Sequence, residues 1–368
     1  MTSCVARAAL LSWLASAAAA DEAASPPAGA PTLWVPEVSL RTYSGYRDNV
    51  LLSSVAPLGS PLGGLAADAS WLGLSPDGNQ YTLLATAEHT WFFAHDLDPE
   101  SLVFAQAAFQ RDRGRQGRLA LGVEYIFQDT VYDVSPTEAE LTTVDATGHT
   151  LTARPGFGLE LGPALRADLE LEITRQLYSE PLDDDWEGGL RLTLKWSPSR
   201  LATITLAGRL RERNYDTRPA LDADGFPLPA GLVMRAAELE TEWRQDWDAA
   251  RRWRTQLRLS LGRLHDNGGG YFDFTRAGAR AIVRYEAAPW SLRAEARVWY
   301  FDYPTQTVGG PDTSLRHLLE VATSARAEYA LGGGWSTFLE YTREESDDNA
   351  PDADYVVNTG MLGFQYTF

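Results

Sequence analysis

Residues 354–368 read DYVVNTGMLGFQYTF. Counted back from the end, Phe368, Tyr366, Phe364, Leu362 and Gly360 alternate with Thr367, Gln365, Gly363, Met361 and Thr359. The period is two, with one largely aromatic face and one small or polar face, which reads as a β-strand. Chain ends fray in water, so a strand that keeps its heaviest rings for its last residues needs an apolar neighbour there.

The same rhythm runs upstream. Leu165, Ala167, Leu169, Leu171 and Ile173 alternate with Arg166, Asp168, Glu170, Glu172 and Thr174. Trp186, Leu190, Leu192, Leu194 and Trp196 alternate with Glu187, Arg191, Thr193 and Lys195, so aromatic residues close both ends of a leucine row. Strands are expected near 38–46, 68–74, 81–93, 102–110, 119–132, 151–161, 165–174, 186–196, 201–213, 233–246, 252–264, 271–286, 290–301, 315–331, 335–344 and 354–368. Every second connection is short: 75–79, 113–117, 162–163, 197–200, 248–251, 287–289 and 332–334. The alternate ones are mostly longer and carry Asp183-Asp184-Asp185 and the acidic stretch 344–354. A long polar loop is expected over 133–149. Pro155 lacks an N–H and is expected to bring a bulge or kink to the sixth strand.

Ten-residue alternating segments joined by turns and polar loops are the pattern of a membrane barrel, in which no strand edge is left open to lipid. The expected fold is all-β: a single transmembrane antiparallel barrel of about 16 strands, in the range 14–18, over residues 37–368. A terminal Phe preceded by alternate aromatic residues resembles the last strand of bacterial outer-membrane β-barrels. In that group the strand is read by the assembly machinery, which would make Phe364, Tyr366 and Phe368 an assembly signal. The first strand exits through Gly45-Tyr46-Arg47-Asp48-Asn49-Val50. This resembles the G-Y-x-D-N-V/I stretch of a family of outer-membrane porins often encoded among exopolysaccharide genes. The resemblance implies an outer-membrane channel, with polysaccharide as one solute class, and carries over no catalytic residue.

Composition agrees with an envelope protein. Arg7, a short apolar run from Ala8 to Ala20 and Ala18-Ala19-Ala20 before Asp21 read as a signal peptide over 1–20. An Ala- and Pro-rich lead-in follows over 21–36. The single cysteine, Cys4, would leave with the leader. Without Arg7, 31 basic residues face 50 acidic ones, which argues against a nucleic-acid partner. The expected partners are outer-membrane lipids and lipopolysaccharide, the assembly machinery, and polysaccharide or small anions. Lys195 is the only lysine, so nearly all positive charge is guanidinium.

No catalytic site, cofactor or metal site is expected. His95-Asp96 and His265-Asp266 fall in turn-rich contexts, where Asp and Asn serve the backbone. The inward faces are more informative. Glu238, Glu240 and Glu242 form an acidic row between Arg209, Arg211 and Arg213 on one side and a basic wall on the other. The wall comprises Arg252, Arg254, Arg258, Arg276, Arg280, Arg284, Arg293 and Arg297. Opposite rows pair across strands, and the surplus arginine points to a path for anionic solutes or sugar acids. The alternative is a non-conducting structural barrel filled by such pairs.

Overall fold

The computed structural model describes residues 32–112, 117–133, 143–179, 182–309, 312–350 and 353–368. The expected leader, most of the lead-in and the turn residues 113–116 lie outside them. The strands are β1 (Leu33–Arg47), β2 (Ser60–Leu74), β3 (Asn79–Phe92), β4 (Glu100–Asp112), β5 (Arg118–Asp133), β6 (Thr143–Gly162), β7 (Leu165–Tyr178) and β8 (Asp185–Ser199). They continue as β9 (Ala202–Leu221), β10 (Pro227–Asp246), β11 (Trp253–Asp266), β12 (Phe274–Ala287), β13 (Trp290–Gly309), β14 (Asp312–Gly332), β15 (Trp335–Asp348) and β16 (Tyr355–Thr367). Each pairs antiparallel with its sequence neighbours, and β16 pairs with β1 to close a sixteen-strand barrel. No helix occurs among the described residues.

Closure rests on the stretch that opened the reading. Ser39↔Thr367 through Arg47↔Thr359 align β1 with β16, and the Phe368 N–H donates to the Val38 carbonyl at 2.9 Å. Alternation then sorts every strand into two faces. On β7, Leu169, Leu171 and Ile173 are 44%, 51% and 52% exposed, while Glu172 between them is 5% exposed. A band of half-exposed leucines around the whole exterior is incompatible with water and suits hydrocarbon. At the end carrying both barrel termini, rings bound the band: Trp34 beside Tyr81 and Tyr81 beside Phe109, Trp253 beside Tyr285, Trp290 beside Tyr329, and Trp335 beside Tyr366. These are an interfacial girdle.

The strand count and the short connections agree with the alternation of the sequence. In the turn after β2, the Gly78 N–H donates to Ser75 O and Ser75 N–H to Asn79 O, with Gly78 at φ +76° as a tight hairpin requires. The differences lie at the opposite, far end. Pairs β5/β6, β9/β10 and β13/β14 run well past the leucine band, so the loop expected over 133–149 is strand at both flanks. Sequence alternation ends where lipid ends, whereas backbone pairing continues into water. At the near end, β1 begins inside the expected lead-in, because Leu33, Trp34 and Val35 pair with Leu74, Gly73 and Leu72.

Pro155 produces no bulge. β5 stays in register through Leu121↔Pro155. On the β7 side, pairing stops at Ala153↔Ile173 and resumes at Gly156↔Glu170 with the same offset. The missing N–H drops ladder bonds without adding a residue.

Candidate functional site

A connected ion-pair belt runs along the inner wall from β5 to β12. Arg154 on β6 bridges Glu124 at 2.8 Å and Glu172 at 3.0 Å. Arg209 joins Glu172 at 2.5 Å and Glu187 at 3.8 Å. Arg211 links Glu187 at 3.3 Å to Glu238, and Arg276 closes on Glu238 at 2.6 Å. Alternation puts these side chains on one face and register puts opposite signs on neighbouring strands. A single half-exposed pair contributes about 0–1 kcal/mol; the connected belt chiefly fixes side-chain positions. The last link needs Gly262, which lies between Glu238 and Arg276 in the ladder. A Cβ there would stand 3.0 Å from Arg276 Nε and 3.4 Å from Glu238 Cγ.

The acidic row is consumed by this pairing. Glu238 takes Arg211 and Arg276, Glu242 takes Arg258 at 2.6 Å, and Glu240 takes Arg258 at 3.4 Å and Arg191 at 3.8 Å.

Beyond the row, register stacks like charges. Arg254, Arg284, Arg293 and Arg326 are successive partners across β11–β14, as are Arg258, Arg280 and Arg297 across β11–β13. Directly opposed like charges destabilise a sheet unless countered. Glu295 sits between the rows and takes Arg280 and Arg293, each at 2.7 Å. Asp246 takes Arg254 at 2.6 Å, Glu340 and Glu328 take Arg326 at 2.9 and 3.2 Å, and Glu286 stands 3.9 Å from Arg284. Arg297 and Arg244 have no carboxylate within 4 Å among the described residues. Arg326 belongs to the wall although the sequence reading did not include it; its parity on β14 was the available signal.

Arg252 is a correction: it is not part of the wall. It lies in the turn before β11, 57% exposed, and folds back on Asp248 at 3.0 Å. The Arg252 backbone N–H, helped by its guanidinium, holds the Asp248 carboxyl below the usual range. A turn ends the alternation, so parity counted from β11 does not apply there.

The connection between β1 and β2 folds into the barrel, which the sequence reading missed. Val50 and Leu51 are 2% and 1% exposed. Val50 belongs to one buried cluster with the inward side chains Tyr43, Leu62, Phe92 and Phe338, with Leu97 and Met361 at its edge. The Asp48-Asn49 pair of the opening motif secures it. Asp48 accepts the N–H and the side-chain amide of Asn358, both at 2.7 Å. Asn49 donates to Ser53 O at 2.7 Å and Val356 O at 3.3 Å, and accepts the Ser53 N–H at 3.0 Å. The apolar triplet Val50-Leu51-Leu52 was the available signal. A cavity of about 340 Å³ adjoins this loop. Tyr43, Val50, Leu52 and Phe338 line one part of it, and Arg293, Arg297 and Arg326 another.

The His–Asp pairs serve turns. His95 and Asp96 have φ of +66° and +48°. Asp266 accepts the N–H groups of Gly268, Gly270 and Phe272, and His265 contacts Asp273. Phe364 on β16 and Phe368 just beyond it are exposed, 49% and 71%, and Tyr366 packs on Trp335 and Phe368.

No family model matches this chain, and no curated protein matches it. Among solved structures it is similar to OccAB2 of Acinetobacter baumannii, with a TM-score of 0.43, 10% identity, and 91% of this chain and 98% of that one covered. It is similar to OprD of Pseudomonas aeruginosa at 0.44, 10% identity, and 91% and 95% coverage. It is also similar to a structure titled copper transporter OprC, at 0.44, 12% identity, and 89% and 66% coverage.

Proposed function

We propose that the protein is an outer-membrane channel whose basic inner wall passes anionic solutes, small anions and sugar acids included. The observation that carries this is the pair of arginine rows on β11–β14, incompletely countered, in a chain of net charge -18. Composition alone would make the interior acidic. Fixed positive charge inside low-dielectric walls raises the local concentration of anions. The exposed leucine band, the aromatic girdle and the closed strand edge support membrane insertion, and the leader-like N-terminus supports the outer membrane. The opening motif keeps exopolysaccharide among the solute classes, although Asp48 and Asn49 have a structural task.

A second reading draws on the connected ion-pair belt that starts on β5 and on the inward loop, which would suit a non-conducting structural barrel. Replacing Arg258, Arg280 and Arg297 together by Gln separates the two. A channel should lose anion over cation preference in its reversal potential across a KCl gradient, and still assemble. An unchanged reversal potential would assign these arginines to structure alone. Absence of conductance in both proteins would favour the structural barrel.

A further inference from the structure

Among the described residues, two charges that line the cavity beside the inward loop lack a countercharge. Arg297 on β13 and Glu344 on β15 make no ion pair within 4 Å among the described residues. Ala322 on β14 is the ladder partner of both. All three line the cavity beside the inward loop. Two interstrand spacings of about 4.8 Å put the two charged Cα atoms roughly 10 Å apart, with only a methyl group between them.

We infer that this gap is a binding site for a zwitterion of the α-amino-acid type with an apolar side chain. The carboxylate accepts from the Arg297 guanidinium and the ammonium donates to the Glu344 carboxylate. Two charge-assisted hydrogen bonds of about 2.8 Å, with a short N–Cα–C spacer between, fill roughly that span. A bare anion would be repelled by Glu344 and a bare cation by Arg297, so the pair selects a ligand carrying both charges. The apolar body has a surface at hand. Val357 is the next partner of Glu344 in the ladder and is 5% exposed, and Val50, Leu52 and Phe338 line the same cavity. The other lining arginines are engaged: Arg293 with Glu295, Arg326 with Glu340, Arg47 with Glu100 at 2.9 Å, and Arg41 with Asp68 at 3.3 Å. The inference rests on the reading of the interior as open to solutes.

The test is equilibrium binding by calorimetry to the full chain folded in detergent, so that it does not depend on conductance. The probes at pH 7 are L-leucine, 4-methylpentanoate, which lacks the ammonium, and isopentylamine, which lacks the carboxylate. L-leucine should bind at least about tenfold more tightly than either analogue, the size expected for one lost charge-assisted contact. Arg297→Gln and Glu344→Gln should each remove that advantage. Ala322→Leu, which fills the gap and changes no charge, should abolish L-leucine binding. Equal binding of L-leucine and 4-methylpentanoate, or no L-leucine binding to the wild-type chain, would overturn the inference. The analogue comparison uses the wild-type chain, so a misfolded variant cannot obscure the result. Anion-selective conductance without L-leucine binding would leave the channel and remove the site; binding without conductance would do the reverse.

Discussion

Leu192 and Thr193 are adjacent residues on β8 whose side chains take opposite faces. Leu192 is 48% exposed on the exterior and stands beside Leu169 of β7. Thr193 faces inward, opposite Asp168 on one side and Ala207 on the other. An arginine placed at Leu192 meets hydrocarbon and should cost about 2–4 kcal/mol near the midplane, roughly 30- to 700-fold in the folding equilibrium. The same arginine at Thr193 enters a hydrated interior next to a carboxylate and a methyl group. Its effect should stay within about 1 kcal/mol. Asp168 itself would be a poor control, because it holds Arg118 at 3.1 Å and Arg166 at 2.5 Å. The assay is urea titration of refolding into phospholipid vesicles, followed by tryptophan fluorescence and heat-modifiable migration. Equal losses in both variants, or a larger loss for Thr193→Arg, would refute the assignment of faces, since a slip of one residue exchanges every side chain.

Deleting Phe368 removes one closing backbone bond and an exposed ring, worth no more than about 1–2 kcal/mol together. Refolding in detergent should be nearly normal while assembly in cells fails, read as loss of the heat-modifiable band with the protein still in the periplasm. Normal assembly in cells would remove the signal role of the last strand. Asn49→Ala breaks three hydrogen bonds of a residue 2% exposed and should weaken the loop's attachment by about 1–3 kcal/mol. Faster proteolysis within residues 50–58 is the expected result; unchanged protection would show that Val50 packing alone secures the loop.

The faces of the strands were legible because a period of two in a lipid-facing sheet leaves one residue type per face, as the Leu169/Glu172 contrast shows. The strand count followed from the alternation of short and long connections. What alternation could not convey is where pairing continues in water, so the far ends of β9, β10 and β13 went unread. Nor could it show partner choice. Parity placed Arg258 and Arg297 alike inside, yet register gives the first two glutamates and leaves the second without one. Arg252 was misplaced because a turn breaks the period. The inward loop was missed because loops obey no period, and the Asp48-Asn49 motif was read only for its family resemblance although its side chains fasten that loop to β16.

The central claim is an open interior that favours anions. Reversal potential of the wild-type chain in a planar bilayer across a KCl gradient tests it most directly. The arginine rows of β11–β14 predict stepwise conductance with a potential displaced toward that of chloride. A potential displaced toward that of potassium, or a bilayer that stays silent with correctly folded protein inserted, would contradict it.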